Sequence, residues 1–303
     1  MRYDAVIIAG PTASGKSAAA LALAQAINGA IVNADSMQVY TQAPILTAQP
    51  GRADQARAPH LLYGHVSARE AYSVGRYAIE AAAALEACRA RRLVPIFTGG
   101  TGLFFMALTQ GLAHVPPIPP EIREKARTLL QEIGVEKLHA KLAARDSKTA
   151  QQLRPTDPQR VLRAYEVFEA TGRPLADWQQ APADPVLKNL NLAKFVLNVP
   201  RADLRARIAT RFEAMADGGG LEEALALKDL DPALPAAKLL GLRSLIALNQ
   251  GRATRAQALE EAITATRQFA KRQMTWFRNR MGEYVWFNPA ESNIISLLKQ
   301  KSA

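Results

Sequence analysis

The segment GPTASGKS, residues 10–17, matches the pattern G-x-x-x-x-G-K-[ST] of a phosphate-binding loop. It follows a short apolar run, residues 5–9, and precedes an alanine- and leucine-rich run, residues 16–27, so it lies between a predicted strand and a predicted helix. Its backbone N–H groups and the helix N-terminus attract phosphate, Lys16 adds a positive charge, and the Ser17 hydroxyl suits Mg²⁺. Both flanks argue against a chance glycine turn. The loop predicts a polyphosphate site without requiring that the ligand be ATP.

A carboxylate follows the second predicted strand, residues 30–35. Asp35 ends this run, at the edge where parallel sheets place their ligands. It could hold magnesium or a water molecule, as in P-loop NTPases, or act as a general base towards a nucleophile beside the phosphates. An N-cap of a following helix is the structural alternative, since aspartate and serine both cap well.

A second glycine turn, TGGTG, spans residues 98–102 and ends the third predicted strand, residues 93–100. It could form another backbone cradle on the same sheet edge, with the Thr101 hydroxyl free to bond a phosphate. A tight turn capped by threonine is equally consistent with the sequence.

Three of the six arginines between residues 120 and 165 suggest an anionic partner. Arg160 and Arg163 are three residues apart and share one face of a predicted helix. Arg123 falls in the first turn of another predicted helix, where a cation opposes the helix dipole, so its placement needs another reason. Solvated surface arginines are the ordinary alternative.

A long basic helix is predicted over residues 254–281. Four of its residues share one face at spacings of three and four: Arg267, Lys271, Met274 and Arg278. Trp276 and Phe277 stand between cations, and basic residues with interleaved aromatics suit nucleic-acid backbone contact and base stacking. The alternative is a helix packed through its aromatics with solvated cations outside, and both descriptions can hold together.

The elements that must position these residues alternate as strand, helix, strand, helix and strand, which predicts a P-loop NTPase-like parallel sheet flanked by helices, an α/β fold. The proline-rich segment HVPPIPP, residues 114–120, interrupts this order, and a strand-like run returns at residues 192–200. We therefore predict a first part of the core at 1–116, a helical insertion domain at 117–190, and a second part of the core with basic C-terminal helices at 191–303.

The charge balance favours a polyanionic partner. The 303 residues carry a net charge of +11, and over half of this excess lies within 191–303. The sequence contains no run of about 18 apolar residues, so no membrane span is predicted. Cys88 is the single cysteine, so no internal disulfide can form, and a cytoplasmic location is expected.

Taken together, the motifs resemble those of the bacterial tRNA dimethylallyltransferases, also called tRNA isopentenyltransferases. The segments GPTASGKS, NADSMQVY, FTGGTGLFFMAL, DPQRVLRAYEVFEATGRPL, RFEAMADGGGLEEA and TRQFAKRQMTWFRN occur in the order and spacing of that family. The resemblance extends to about Arg280. The phosphate-binding loop alone is shared by many families, whereas the combination is highly specific.

The resemblance implies that the phosphate-binding loop holds a leaving group. Dimethylallyl would pass from dimethylallyl diphosphate to the exocyclic amine of the adenine 3′-adjacent to the anticodon in certain tRNAs, with Mg²⁺ as cofactor. The implied catalytic residues are Asp35 as general base, Lys16 and Thr101. The implied partners are the tRNA anticodon stem-loop and dimethylallyl diphosphate. No membrane partner is expected, and a monomer is the default because a large RNA partner would already occupy much of the surface.

The implied site residues form two sets. The diphosphate set is Gly10, Pro11, Thr12, Ala13, Ser14, Gly15, Lys16, Ser17, Arg207 and Arg211, with Ser17 also as the metal ligand. The tRNA set is Asp35, Ser36, Met37, Gln38, Thr101, Arg123, Gln159, Arg160, Val161, Leu162, Arg163, Arg243, Lys271 and Arg278.

The sequence departs from the family pattern directly after DSMQVY. Many relatives carry an arginine and a glycine and then GTAKP there, whereas this chain reads TQAPILTAQP, with Thr41, Ile45, Leu46 and Gln49 at those places. Two cations are thereby lost. The segment LLGLRSL also lacks a tyrosine that relatives often carry, while Gly241 and Arg243 remain.

Two other classes of function fit parts of the sequence. A P-loop kinase or NTPase using ATP on a small molecule would explain the loop, Asp35 and the sheet, but not the basic helix with aromatics. A protein that only docks on anticodon stems would explain the basic helix, but neither the intact loop nor Asp35.

Overall fold

The computed structural model describes residues 3–180 and 183–302, with backbone only at 301 and 302. Its centre is a six-stranded sheet with the strand order β3-β2-β4-β1-β5-β6, and every neighbouring pair is parallel. The strands are β1 (Ala5–Ala9), β2 (Gly29–Asn33), β3 (His60–Leu61), β4 (Val94–Gly99), β5 (Leu192–Leu197) and β6 (Val285–Phe287).

The described residues form two compact units. One comprises the chain up to Thr109 and from Val186 onward; the other, here called the helical unit, lies within Gln110–Pro185. The helices of the first unit are α1 (Lys16–Ile27), α2 (Pro44–Thr47), α3 (Arg52–Arg57), α4 (Val74–Ala90), α5 (Gly102–Thr109), α11 (Arg201–Met215), α12 (Leu221–Ala226), α13 (Leu242–Asn249), α14 (Arg255–Arg280) and α15 (Ile294–Ser302). Those of the helical unit are α6 (Pro120–Ile133), α7 (Val135–Ala143), α8 (Ser147–Ala150), α9 (Pro158–Thr171) and α10 (Leu175–Gln179).

The sheet core explains the apolar runs in the sequence. All five residues of β1 are buried, because the strand lies between β4 and β5 and helices cover parallel sheets on both faces. The register pairs Ala9 with Gly99 and Asn33 with Thr98. The carboxyl ends of β1, β2 and β4 therefore meet at one edge of the sheet, which brings together the three segments that follow them.

The structure confirms β1 and α1 with the predicted bounds, and it shortens the second strand. That strand ends at Asn33, so Asp35 lies in the turn beyond it. The basic helix α14 begins one residue later than predicted because Thr254 is its N-cap and forms a capping box with Gln257. Strands β3 and β6 were not predicted from the sequence, since two and three residues carry no recognisable alternation.

Both boundaries of the helical unit lie earlier in the sequence than those of the predicted insertion. It spans Gln110–Pro185, where we predicted 117–190. The two connecting segments meet at its base, where the Ala183 N–H donates to the Leu112 carbonyl at 2.8 Å. Gly111 permits this approach, because its φ is 78° and a Cβ there would lie 1.7 Å from the Ala183 carbonyl oxygen. The prolines of 114–120 therefore lie inside the unit, and Pro120 opens α6.

No helix among the described residues is both long and apolar enough to cross a membrane.

Candidate active site

The phosphate-binding loop connects β1 to α1 and holds Lys16 in the interior. Gly15 has a φ of 92°, in the left-handed region that glycine adopts without strain. The Lys16 side chain is buried and its Nζ donates to the Pro11 carbonyl at 3.4 Å. Burial lowers the pKa of Lys16 to about 8, while Asp35 opposes this shift and Arg211 adds to it. The ammonium group thus lies in the electrostatic field of both a carboxylate and a guanidinium.

Two arginines of α11 lie along the same loop. Arg207 Nη1 is 3.5 Å from the Ser14 carbonyl oxygen, to which it donates. Burial lowers the pKa of Arg211, and the charge of Asp35 opposes that shift. The structure therefore places both candidate arginines beside the loop, Arg207 at its backbone and Arg211 facing Asp35. Together with Lys16 they provide three positive charges for a polyanion.

The turn after β2 fixes Asp35. Its Oδ1 accepts the Met37 N–H at 3.1 Å, and its own N–H donates to Asn33 Oδ1 at 2.8 Å. Residues 36–39 form a turn and not a helix, so the helix N-cap alternative for Asp35 is wrong. The carboxylate instead closes this turn at the edge of the sheet.

The TGGTG turn is bonded to the Asp35 turn through Thr101. Its Oγ1 accepts the Ser36 N–H at 2.9 Å and donates to Ser36 Oγ at 3.2 Å, and its N–H donates to the Ala34 carbonyl at 3.1 Å. Of the two alternatives for this turn, a hydroxyl free for a phosphate and a threonine that caps the turn, the structure favours the second, because the Thr101 hydroxyl is engaged with Ser36. Gly99 allows the close approach, because a Cβ there would lie 2.1 Å from the Ala34 carbonyl group.

Gln273 of α14 joins the TGGTG turn to the phosphate-binding loop. Its Oε1 accepts the Thr12 N–H at 3.0 Å, its Nε2 donates to the Gly100 carbonyl at 2.9 Å, and its side chain is buried. A Cβ at Gly100 would lie 2.1 Å from this Nε2 and 3.2 Å from Asp35 Oδ2. Gln273 was not predicted as a site residue from the sequence, because a neutral amide gives no charge signal. Its place inside the segment TRQFAKRQMTW was the only available sign.

Two family models match the chain: IPP transferase over residues 38–280 and isopentenyl transferase over residues 3–61. The tRNA dimethylallyltransferase of Rhodopseudomonas palustris strain BisB18 is 51% identical over 290 residues, which cover 95% of this chain and 92% of that protein. This chain belongs to the tRNA dimethylallyltransferase family. The tRNA dimethylallyltransferase of Azorhizobium caulinodans is 49% identical over 287 residues, 94% of this chain and 92% of that protein.

A solved structure of a tRNA isopentenylpyrophosphate transferase from Bacillus halodurans matches with a TM-score of 0.66 and 29% identity, covering 94% of this chain and 90% of that one. The structure of a eukaryotic dimethylallyltransferase acting on tRNA matches with a TM-score of 0.81 over 97% of this chain and 77% of that one. At 24% identity the second match concerns the fold alone. Together they confirm the predicted P-loop NTPase-like α/β fold, and the family membership favours the predicted transferase over a kinase.

In this member of the tRNA dimethylallyltransferase family, the predicted tRNA residues fall into exposed and buried groups. The charged side chains and amides that face solvent are Arg123, Gln159, Arg160, Arg243, Lys271 and Arg278. Ser36, Met37, Leu162 and Arg163 are half-buried, as are Asp35 and Thr101. The residues predicted to share one face of α14 differ in exposure. Met274 is buried, as is the aromatic Phe277, while Arg267, Lys271 and Arg278 are exposed.

Two of the predicted tRNA residues have side chains turned into the protein. Gln38 is buried and its Nε2 donates to the Thr47 carbonyl at 2.9 Å and the Ala48 carbonyl at 2.7 Å. Val161 is fully buried within the helical unit. These two side chains therefore pack inside the protein and do not face solvent. The contact of their segments with tRNA stays a prediction.

Proposed function

We propose that this chain transfers the dimethylallyl group from dimethylallyl diphosphate to the exocyclic amine of the adenine 3′-adjacent to the anticodon in certain tRNAs, releasing diphosphate. The observation that carries the proposal is a phosphate-binding loop with Lys16, Arg207 and Arg211 beside it and Asp35 opposite. The printed names of the relatives, tRNA dimethylallyltransferases, support the same reaction.

The cationic side of this site suits a leaving group. When the bond between the allylic carbon and the diphosphate oxygen breaks, negative charge grows on the diphosphate. Lys16, Arg207, Arg211 and the loop N–H groups are already in place to stabilise that charge, so little reorganisation is needed during the reaction. At pH 7 the Lys16 amine, with a pKa of about 8, is mostly protonated.

Asp35 is the proposed general base. The lone pair of an adenine amine is delocalised into the ring, so the amine is a weak nucleophile and gains from transferring its proton to a carboxylate as the new bond forms. The turn holds Oδ1 through the Met37 N–H, and Oδ2 lies beside Gly100. Thr101 positions this turn through its two bonds to Ser36. The adenine must leave its stack to reach such an enclosed carboxylate.

The residues fit a magnesium ion that arrives with the substrate. Within residues 3–180 and 183–302, no group of three or more His, Cys, Asp or Glu side chains could form a protein metal cage. Ser17 is exposed in the first turn of α1, and Mg²⁺ commonly uses few protein ligands together with phosphate oxygens and water. Ser17 would hold the ion, whose charge would help to neutralise the departing diphosphate.

The exposed cations form the proposed RNA contacts. Arg243, Lys271 and Arg278 belong to the first unit, and Arg123 and Arg160 to the helical unit. Exposed lysines and arginines bind the phosphate backbone with an affinity that falls as salt rises. We further propose a cytoplasmic monomer.

Nucleoside mass spectrometry tests this function. An unmodified anticodon stem-loop with adenines 3′ of the anticodon is incubated with the protein, Mg²⁺ and dimethylallyl diphosphate, and in parallel with Mg²⁺ and ATP only. We expect a dimethylallyl mass gain on adenosine in the first reaction alone. No gain, with ATP consumed in the second reaction, would support the kinase alternative and refute the proposal.

A further inference from the structure

A small cavity of about 40 Å³ opens beside the phosphate-binding loop. Thr12, Ala13 and Arg211 line its polar end. The rest of the wall is largely apolar and consists of Leu46, Ile208, Phe212, Met215, Leu240 and Thr266. The Thr266 hydroxyl donates to the Ala262 carbonyl of its own helix at 2.7 Å. The cavity therefore has a cationic end at the proposed diphosphate site and a hydrocarbon-lined body.

This division matches a ligand with an anionic head and an apolar tail. Apolar walls offer no hydrogen bonds to water, so they favour hydrocarbon. Because Arg211 lies at the polar end and faces Asp35, a tail in the cavity would keep its first carbon near both groups. This inference rests on the proposed function, since it takes the head to be the diphosphate of the prenyl donor.

Leu46 is held firmly in the cavity wall. The Glu223 carboxylate accepts the Ile45 N–H at 2.8 Å and the Leu46 N–H at 2.9 Å. On the other side, Leu46 packs against Gly220, where an added Cβ would lie 3.2 Å from Leu46 Cδ2. These contacts keep α2 from moving aside when a longer ligand enters.

We propose that Leu46 limits the length of the prenyl donor that this chain accepts. At roughly 10–15 Å³ per water-sized group, the cavity holds about three such groups. That suits the branched end of a five-carbon chain whose first carbon lies outside, and it excludes a ten-carbon chain. Leu46 lies in the segment TQAPILTAQP, in which this chain departs from the family pattern.

The reaction is the same for either donor length. The carbon–oxygen bond to diphosphate breaks with its electron pair leaving on diphosphate, the adenine nitrogen forms the new bond to that carbon, and Asp35 takes one proton from the nitrogen. The cavity therefore determines only which prenyl donor can bring its first carbon to the adenine nitrogen.

Competition between dimethylallyl diphosphate and geranyl diphosphate, its ten-carbon homologue, on one anticodon stem-loop tests the proposal. For the wild-type chain we expect the dimethylallyl product to dominate. Leu46→Ala should raise the ratio of geranyl to dimethylallyl product by about tenfold or more, because even single methylene groups in such pockets change discrimination about tenfold or more. Met215→Ala, in the same wall but on α11, should change the ratio in the same direction.

Ile45→Ala is the matched control. Ile45 is the neighbour of Leu46 in α2 and also donates its N–H to Glu223. Its side chain does not line the cavity, and its Cδ1 lies 2.8 Å from where a Cβ on Gly219 would be. Its product ratio should match that of the wild type.

The outcomes separate this inference from the function on which it rests. Absence of any dimethylallyl transfer by the wild-type chain would refute the proposed function itself. Transfer with an unchanged ratio in both Leu46→Ala and Met215→Ala, or an equal change in Ile45→Ala, would overturn the length limit alone. If circular dichroism shows that Leu46→Ala does not fold, Met215→Ala decides.

Discussion

The charged residues at the carboxyl edge of the sheet, here called the centre, are held in place by burial and hydrogen bonds, whereas those on the surface of the helical unit face solvent. At the centre, Lys16 is buried and Asp35 is held by backbone and side-chain bonds. In the helical unit, Arg160 is exposed and paired with Asp157, the N-cap of its own helix, at 3.4 Å. Charges fixed in a poorly solvated place can act strongly on one ligand, whereas exposed charges give small, additive and salt-dependent contacts.

The difference in burial extends to the surroundings of each region. The sheet core packs α1 and α15 against buried side chains of β1, β2, β4 and β5. The helical unit has a smaller cluster of Leu142, Ala150 and Ala164. A rigid core is needed where atoms must meet within a few tenths of an ångström, and it is not needed where cations follow a phosphate backbone. Substitutions at the centre should therefore change rates strongly, and those on the helical surface should change RNA affinity weakly.

Lys16→Ala should have the largest effect. It removes the cation nearest the loop, so we expect transfer to fall by about 10³-fold or more while RNA affinity stays unchanged. Single-turnover transfer and filter binding measure the two quantities. Lys228→Ala, an exposed cation on the same unit, is the control. Transfer near the wild-type rate in Lys16→Ala would refute the leaving-group role of the loop.

Asp35→Asn should reduce the single-turnover rate by about 10²- to 10⁴-fold, the usual contribution of a positioned base. Asparagine keeps an oxygen that can accept the Met37 N–H, so the turn should stay intact while the base is lost. Asp54→Asn, at a half-buried carboxylate paired with Arg57 of its own helix, provides the comparison. A fall of only a few-fold would assign Asp35 to the turn and not to the reaction.

Gln273→Leu should destabilise the phosphate-binding loop and the TGGTG turn without changing the proposed RNA contacts. It leaves the Thr12 N–H and the Gly100 carbonyl without their partner, at about 1–3 kcal/mol for each buried group left unpaired. We expect a lower melting temperature and a KM for the prenyl donor raised about tenfold, with RNA affinity unchanged. The exposed neighbour Arg272, changed to leucine, controls for the substitution. An unchanged KM and melting temperature would show that Gln273 does not position the loop.

Donor affinity should fall as pH rises through about 8, where Lys16 loses its charge. One unit above this pKa only about a tenth of the ammonium remains, so affinity for inorganic diphosphate should drop up to about tenfold between pH 7 and 9. The stability of the free chain should change in the opposite sense. Between about 8 and the ordinary value of 10.5 the unfolded chain binds more protons, so folding stability rises with pH.

Isothermal titration with inorganic diphosphate checks this pH dependence. Lys16→Arg keeps its charge across the range, so its affinity should stay nearly constant. An equal fall in Lys16→Arg would show that a group of the protein other than Lys16 titrates.

Arg160→Ala should have the smallest effect. We expect RNA affinity to fall a few-fold, with the slope of log affinity against log salt reduced by about one, and the rate with bound RNA unchanged. Arg145→Ala is the control, since Arg145 is also exposed in the helical unit and is paired with Glu169. A large loss of rate with bound RNA would remove the distinction between the two regions.

Sequence alone predicted the parts of the fold that depend on local pattern. The apolar run of β1, the glycine loop and α1 are consecutive, so their bounds could be assigned from periodicity and a motif. The two-residue β3 and the boundaries of the helical unit depend on contacts between distant segments, such as Ala183 with Leu112. No pattern within the chain encodes them.

The candidate site was predictable to a similar degree. Lys16 and Asp35 carry charge and follow strands, so they were found from their types and positions. Gln273 is neutral, and its two bonds reach across 261 and 173 positions of sequence to Thr12 and Gly100. Its bridging position could be found only from the folded chain.

The central claim is that the loop holds a leaving diphosphate, and a single-turnover experiment tests it directly. Diphosphate and prenylated adenosine are counted together, with enzyme in excess over dimethylallyl diphosphate and with ATP absent. We expect equal amounts of diphosphate and prenylated adenosine at all times. Prenylated adenosine that requires ATP, or diphosphate released without modification of adenosine, would contradict it.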